Sequence, residues 1–354
     1  MRGAGWTQYR PLIPLIAWGL IAVGPLLGCA TSPATSAKPP SSERPGSAEE
    51  LFPGGFLTIH PGQMDSEDRF LSALMVFMAP RSQGGLPGRC SGVLVHPRMA
   101  ITAAHCVCGR RPPTREDAAS RAGGKAVSNH PQQAGAITRS SALQDGSIAE
   151  ISDAKSPCLR HVQVRTASYV SADTTYSVAS SDRIEGQVVI HPDFEIIFGR
   201  RAGGSHVVWS NADLAVIFLE RPVPFVLPPL ELADSEVHPG DIITMVGFSF
   251  GTSSPPAHGV RHFGENKVNR LIPLETGSTV FRVEEQVLPD GGAASHAQLG
   301  DSGGACIKRG TRNLLVGITT VGGTKPNGEP LSFFTSVYSH RSWLIQMLKR
   351  ADET

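Results

Sequence analysis

Short apolar runs separated by turn-forming residues dominate the chain from Leu71 onward. Eight such runs are four to nine residues long and are bounded by Gly, Pro, Asn, Asp or Ser. They are LSALMVFMA (71–79), SGVLVH (91–96), VVIH (188–191), DLAVIFL (213–219), DIITMVGF (241–248), STVFRVEE (278–285), NLLVGITT (313–320) and LSFFTSVY (331–338). Runs of this length, several of them rich in β-branched or aromatic residues, are typical of strands. The pattern predicts an all-β protein, built as a barrel or a sandwich.

Two stretches depart from the strand pattern. In YSHRSWLIQMLKR the apolar residues recur at i, i+1, i+4 and i+5 from Trp343, which predicts one C-terminal helix over about 340–350. Residues 109–157 are polar, rich in Gly, Ala and Ser, and without periodicity. That segment is predicted to be a long loop or insertion.

Composition excludes several classes of protein. Apolar residues make up 40% of the chain, enough for a core, and 32 basic against 31 acidic residues leave a net charge of +1. The two signs are mixed throughout, so the sequence lacks the concentrated basic face that nucleic-acid binding requires. Six cysteines are too few for a disulfide scaffold. Collagen, coiled-coil and multi-span membrane architectures are excluded as well.

The amino terminus has the pattern of an export signal. Two arginines precede an apolar run from Pro11 to Cys29. The ending Leu-Leu-Gly-Cys resembles the lipobox of bacterial lipoproteins, which implies that residues 1–28 are removed and that Cys29 carries lipid. We therefore expect an exported lipoprotein of the cell envelope, attached to the membrane through Cys29, with residues 29–55 as a flexible Ser/Pro linker. The alternative is an uncleaved anchor helix, which the three prolines of the apolar run disfavour.

Three polar residues stand out against the β-rich pattern. His105 lies in TAAHC, Asp213 opens the apolar run DLAVIFL, and Ser302 lies in the glycine-rich turn GDSGG. Each alone has a structural explanation, as a core histidine, a strand-start residue or a turn serine. Together they supply a nucleophile, a base and a carboxylate that orients the base, which is the set that acyl transfer needs.

With these motifs the chain, from about Ser72 to Leu348, resembles the chymotrypsin-like serine peptidases of the trypsin fold. TAAHC, DLAVI and GDSGG resemble the family's three catalytic motifs in the family's order. The resemblance implies two six-stranded antiparallel β-barrels, about 56–228 with the insertion and 229–339, followed by the C-terminal helix. It also implies His105 as the base, Asp213 as its orienting acid and Ser302 as the nucleophile. The backbone N–H groups of Gly300 and Ser302 would form the oxyanion hole, and no cofactor or metal is needed.

The cysteines can then be considered individually. Cys90 and Cys106 resemble the pair that closes the family's histidine loop. Cys108 and Cys158 bracket the insertion and are interpreted as a second pair, with two unpaired thiols as the alternative. Cys306 remains as a buried free thiol on the strand after the nucleophile turn.

The resemblance also implies a specificity pocket and a question about activation. His296 occupies the pocket-floor position, with Gly322 and Ser332 aligned to its walls. A floor histidine cannot pair with a basic side chain, so we expect no preference for Arg or Lys, and instead small, polar or acidic residues, the last only if His296 is charged. No family-like activation site stands in residues 50–65, so we expect Asp301 to be bonded by a donor other than a new amino terminus.

Other functions fit the sequence less well. GDSGG also satisfies the G-x-S-x-G pattern of α/β-hydrolases, but the order of the acid, base and nucleophile and the lack of strand–helix alternation oppose that fold. No H-E-x-x-H motif supports a metalloprotease. A catalytically weak trypsin-fold protein that serves binding or regulation is the remaining alternative to an endopeptidase acting on protein or peptide substrates.

Overall fold

The computed structural model describes residues 59–78, 88–114, 116–117, 139, 148–172, 175–180, 182–201, 204–226, 230–250, 258–325 and 327–353. They belong to one compact unit that spans Ala48–Thr354. The predicted signal segment, the linker and Cys29 lie outside the described residues. No helix in the described ranges is long and apolar enough to cross a membrane.

Most of the described chain is strand, as the apolar runs predicted. The strands are β1 (Gln63–Met64), β2 (Ala73–Met78), β3 (Gly88–His96), β4 (Met99–Thr102), β5 (Ile148–Asp153), β6 (His161–Arg165), β7 (Ser168–Ala172), β8 (Thr175–Ser180), β9 (Arg183–Ile190), β10 (Glu195–Arg201), β11 (Gly204–Asn211), β12 (Ala215–Leu219), β13 (Glu231–Leu232), β14 (Ile242–Phe250), β15 (His258–Pro273), β16 (Thr279–Val283), β17 (Ala305–Lys308), β18 (Leu314–Thr324) and β19 (Pro330–Ser336). The helices are α1 (Ala104–Val107), a 3₁₀ turn (Tyr338–His340) and α2 (Arg341–Asp352).

The first barrel closes through six antiparallel strands in the order β12-β4-β3-β2-β6-β9. Strand β12, AVIFL, is buried along its whole length between β4 and β9. Strand β9 instead begins with alternating exposed and buried residues, the period of a strand with one face towards a core. β7 and β8 form a separate two-stranded sheet.

The second barrel contains β15, β14, β17, β18, β19 and β16, and the pairing of β15 with β16 closes it. Its core includes the rings of Phe281 and Phe334, stacked with centroids 5.0 Å apart. The two closed barrels and the terminal helix confirm the predicted fold class. The short strands β1 and β13 add to β15 and β18.

The start of the described chain is attached to the second barrel, whereas the predicted boundary assigned it to the first. β1 pairs with β15, and Ile59 lies buried in the second core. The fully buried Arg261 reinforces this attachment, because its guanidinium donates to the buried Asp65 at 2.6 Å and to the partly exposed Asp68 at 2.5 Å. Its remaining terminal nitrogen donates at 2.9 Å to the carbonyl of Ala167, which follows β6 of the first barrel.

An additional three-stranded sheet, β11-β10-β5, precedes Asp213. Strand β5 lies inside residues 109–157, so the last part of the predicted loop or insertion contains a strand. The sequence did not predict this strand because it is short, lies at the edge of its sheet, and has three apolar residues that do not alternate regularly with polar ones. Trp209 and Ile197 of this sheet pack against Leu274 and Val280 of the second barrel. The long spacing between His105 and Asp213 therefore contains both the insertion and the β10–β11 hairpin.

The C-terminal helix follows the last strand of the second barrel but packs on the first. Leu344 lies in the core of the first barrel, and the Arg350 guanidinium lies 4.6 Å from the centre of the Phe218 ring. At the start of the helix, buried His340 faces buried His191, with Nδ1 and Nε2 3.2 Å apart. The helix thus holds the two barrels together from outside.

Two disulfides stabilise the histidine region. Cys90 is joined to Cys106 and Cys108 to Cys158, while Cys306 is a free and buried thiol. The second bridge connects the two ends of the insertion, where the carboxylates of Asp153 and Asp117 also bind Arg111.

We predict that peptide mapping of the non-reduced protein will recover these two bridges. Burial raises the pKa of the Cys306 thiol, so this thiol should resist alkylation in the native protein and react only after unfolding. Recovery of a Cys108–Cys306 peptide would contradict the arrangement. Intact mass before and after alkylation in denaturant provides the matched control.

Candidate active site

His105 lies on the short helix α1, directly after β4. The residues around it are small or apolar and buried, and Cys106 is tied to β3 through its disulfide with Cys90. The helix is therefore fixed at the end of the first barrel. The imidazole remains about a quarter accessible, with 23% of the side chain exposed.

Asp213 binds His105 through both of its carboxylate oxygens. Oδ2 lies 2.7 Å from the ring Nδ1, and Oδ1 accepts the backbone N–H of His105 at 2.9 Å. The aspartate side chain is fully buried. A buried carboxylate requires a donor, so it fixes the tautomer with a proton on Nδ1 and leaves Nε2 free to accept one.

Ser302 lies on the loop between the second barrel's β16 and β17. Its carbonyl oxygen accepts the backbone N–H of Ser91 on β3 at 2.8 Å, which attaches the loop to the first barrel. Cys106 Sγ lies 3.9 Å from His105 Nε2 and 3.8 Å from the Ser302 carbonyl oxygen. The structure therefore brings the predicted base and nucleophile into one site, although 197 residues separate them in sequence.

The hydroxyl of Ser302 is only weakly engaged. Its Oγ lies 3.4 Å from the carbonyl oxygen of Thr320, a long distance for a hydroxyl hydrogen bond. Thr320 in turn is held by its own hydroxyl, 2.9 Å from that of Thr335. A proton that is loosely held can be transferred to a neighbouring base.

Glycines let the nucleophile loop approach the first barrel. Gly303 has a φ of +81° and donates its N–H to Thr319 at 2.7 Å. A Cβ at this position would overlap the hydroxyl of Thr102 and the carbonyl of Ser91. Both the backbone angle and the contact therefore require glycine here.

The N–H groups of Gly300 and Ser302 make no hydrogen bond to another described residue. The Asp301 carbonyl accepts the N–H of Gly304 at 2.8 Å. In a trans peptide the carbonyl and the N–H point in opposite directions, so the Ser302 N–H is directed away from Gly304. These two N–H groups are thus available to an oxyanion.

The carboxylate of Asp301 accepts a hydrogen bond from a donor other than a new amino terminus. Its carboxylate is buried, and Oδ2 accepts the backbone N–H of Gln298 at 2.9 Å. The backbone of the loop itself thus donates to one oxygen of this carboxylate.

The three predicted pocket residues are neighbours. Ser332 Oγ accepts the N–H of Ala297 at 2.9 Å, and Ser332 pairs with Gly322 across β18 and β19. His296 precedes Ala297 and is fully buried, with Nε2 2.9 Å from the carbonyl oxygen of Glu285. Burial lowers the pKa of His296, and Lys325 adds a smaller effect in the same direction. The residue is therefore neutral at neutral pH.

Ser91 contacts this site but could not be recognised as a site residue from the sequence. Ser91 binds the nucleophile loop with both its backbone and its hydroxyl. Only its position beside Cys90 could have drawn attention to it. Within the described ranges, the one cluster with metal-ligand spacing is Cys90, His105 and Cys106, but its two sulfur atoms form a disulfide and cannot act as thiolate ligands.

Comparison with known proteins gave one match and one negative result. A family model described as a trypsin-like peptidase domain matches residues 90–318, more than half of the chain. The match includes His105, Asp213 and Ser302. No curated protein matches the chain.

Proposed function

Because this chain belongs to the trypsin-like peptidase domain family, we propose that it is a serine endopeptidase with His105, Asp213 and Ser302 as its catalytic residues. Family membership supports a serine peptidase in general. The observation that carries the finer proposal is the pair of hydrogen bonds that His105 donates to the buried carboxylate of Asp213. An aspartate that served only as a strand-start residue would not be expected to bind an imidazole in this way.

The proposed reaction proceeds through an acyl-enzyme. His105 Nε2 removes the Ser302 proton while Oγ attacks the substrate carbonyl, and Asp213 stabilises the imidazolium that forms. The N–H groups of Gly300 and Ser302 stabilise the oxyanion. His105 then donates the proton to the leaving amine as the peptide C–N bond breaks. Water deacylates the serine by the same steps, with His105 again as the base.

Covalent labelling tests this proposal directly. A fluorophosphonate should add one phosphonyl group to Ser302 with loss of fluoride, because only an activated serine reacts with such a reagent. Mass spectrometry of the tryptic digest locates the label. The Ser302→Ala and His105→Gln variants should remain unlabelled. A folded wild-type protein that takes no label would instead favour the binding or regulatory alternative.

The pocket residues support a proposal on specificity. A neutral His296 at the pocket floor offers no partner for a basic side chain, and the Ser332 hydroxyl reduces the space between the walls. We predict that a mixed peptide library is cleaved after small or polar residues. An acidic preference depends on a charged His296, which burial disfavours. Dominant cleavage after Arg or Lys would contradict this pocket while leaving the catalytic residues unaffected.

A matched variant sharpens the specificity test. Ser332→Gly removes a side chain from the pocket wall, so larger residues should be accepted before the scissile bond. Ser342→Gly, on the exposed face of α2, should leave the cleavage profile unchanged. If the cleavage profile of Ser332→Gly equals that of the wild type, Ser332 does not line the specificity pocket.

We also propose that the enzyme is exported and anchored through lipid on Cys29. The support is the signal-like run that ends in Leu-Leu-Gly-Cys. Expression in a bacterial host with an alkyne fatty acid should label the protein at Cys29 and yield a mature chain that begins there. Cys29→Ala should abolish the label. An unlabelled chain that retains residues 1–28 would indicate the uncleaved anchor instead.

A further inference from the structure

Ser91 makes four hydrogen bonds from a fully buried position on β3. Its backbone N–H donates to the Ser302 carbonyl at 2.8 Å, and its carbonyl accepts the Thr102 hydroxyl at 2.8 Å. Its hydroxyl oxygen lies 2.7 Å from the N–H of Phe248 and 2.9 Å from the Gly300 carbonyl. One side chain of the first barrel thus contacts both a strand of the second barrel and the nucleophile loop.

The direction of the hydroxyl bond follows from its partners. The backbone N–H of Phe248 can only donate, so Ser91 Oγ accepts there. The Gly300 carbonyl can only accept, so the single hydroxyl proton is directed to Gly300. Both partners of the hydroxyl are thereby satisfied without water in a region closed to solvent.

The backbone at Gly300 is a place where such a restraint matters. It has a φ of +99° and no side chain, so its adjoining peptides can rotate at little steric cost. The Gly300–Asp301 peptide is held at both ends: Ser91 Oγ binds its carbonyl, and its N–H donates to Gln298 at 3.1 Å. Loss of the hydroxyl would leave only the longer of these two bonds.

We propose that Ser91 is a positioning residue for the oxyanion hole. Its hydroxyl holds the Gly300–Asp301 peptide, and its backbone N–H holds the Ser302–Gly303 peptide. These two peptides flank the Asp301–Ser302 peptide, which carries the Ser302 N–H, and the first directly follows the Gly300 N–H. Restraint of both peptides therefore limits the rotation of the two N–H groups proposed for the oxyanion hole. This inference rests on the proposed peptidase function. Ser91 contacts no reacting atom and acts only through the loop.

Ser91→Ala tests this role. We expect kcat to fall by about 10- to 100-fold with KM changed by less than about threefold, because misdirected donors weaken binding of the transition state more than of the substrate. Affinity for a peptide boronic acid, which forms a tetrahedral adduct on the serine, should fall by about the same factor as kcat/KM. Each kcat is calculated per active site, and the active sites are counted by fluorophosphonate titration.

Ser152→Ala is the matched control. Ser152 is also buried and also donates its hydroxyl to a backbone carbonyl, that of Gly109 at 2.9 Å, but it lies in the additional sheet. Its kcat per active site should equal that of the wild type. Ser91→Thr, which retains a hydroxyl, should recover most of the activity lost in Ser91→Ala.

The outcomes separate the two proposals. If the wild type neither labels nor hydrolyses peptides, the proposed function fails. If the wild type is active and Ser91→Ala keeps its kcat and its boronic acid affinity per active site, the positioning role is overturned. Should Ser91→Ala not fold, Ser91→Cys carries the same test, because a thiol of similar size is a weaker donor.

Discussion

Replacing Ser302 by alanine is expected to lower kcat for peptide hydrolysis by about 10⁶-fold, because alanine has no oxygen on which an acyl-enzyme can form. Asp213→Asn should cost about 10⁴-fold, since an asparagine can stabilise the wrong tautomer of His105 and cannot stabilise the imidazolium. Both values are measured with the peptide that the library selects, at enzyme concentrations that make single turnovers visible.

Folding controls make this result interpretable. Ser302 is partly exposed, so alanine there should leave the thermal unfolding midpoint nearly unchanged. Ser342→Ala, on the exposed face of α2, should retain full activity. Equal turnover by wild type and Ser302→Ala would refute Ser302 as the nucleophile and leave the fold assignment intact.

The catalytic candidates could be predicted from the sequence because each lies in a local motif. Small residues surround His105, Asp213 opens an apolar strand, and glycines surround Ser302. Ser91 could not be found in this way. Its hydroxyl partner, Gly300, is 209 residues away, and a serine in a strand carries no local mark of such a contact.

Strand β15 shows why parts of the fold escaped prediction. Its 16 residues, HGVRHFGENKVNRLIP, contain several charged and polar side chains, so they do not form an apolar run. Arg261 is nevertheless fully buried there, because Asp65 and Asp68 neutralise it. Such a pair joins residues almost 200 positions apart, and local pattern cannot reveal it.

Acidification should destabilise the folded protein through the buried His191–His340 pair. The N–H of Asp193 donates to His191 Nδ1 at 3.2 Å, so His191 carries its proton on Nε2 and donates it to His340 Nδ1. Protonation of either ring would therefore place a second donor against an existing one. Burial, together with the neighbouring His191, lowers the pKa of His340 from 6.5 to about 3, and burial also lowers that of His191.

The sign of the pH effect follows from these shifts. The unfolded chain takes up protons on these histidines below about pH 6.5, whereas the folded protein does not do so until about pH 3 for His340. The contribution to stability is therefore complete above pH 6.5 and is lost as the pH falls. His340 should cost about 1.4 kcal/mol per pH unit in that window, or about 5 kcal/mol across its whole range. His191, whose pKa is also lowered by burial, adds a cost of the same sign.

Urea unfolding at about pH 7, 6 and 5 measures this effect above the range where most carboxylates titrate. His340→Gln, which can still accept the His191 proton, should reduce the slope of unfolding free energy against pH by about 1.4 kcal/mol per unit. His238→Gln is the matched control, because the His238 side chain is 76% exposed and should leave the slope unchanged. An identical slope in wild type and His340→Gln would mean that His340 titrates normally in the folded state. A reduced slope would show that the lowered pKa of His340 contributes to the pH dependence of folding stability.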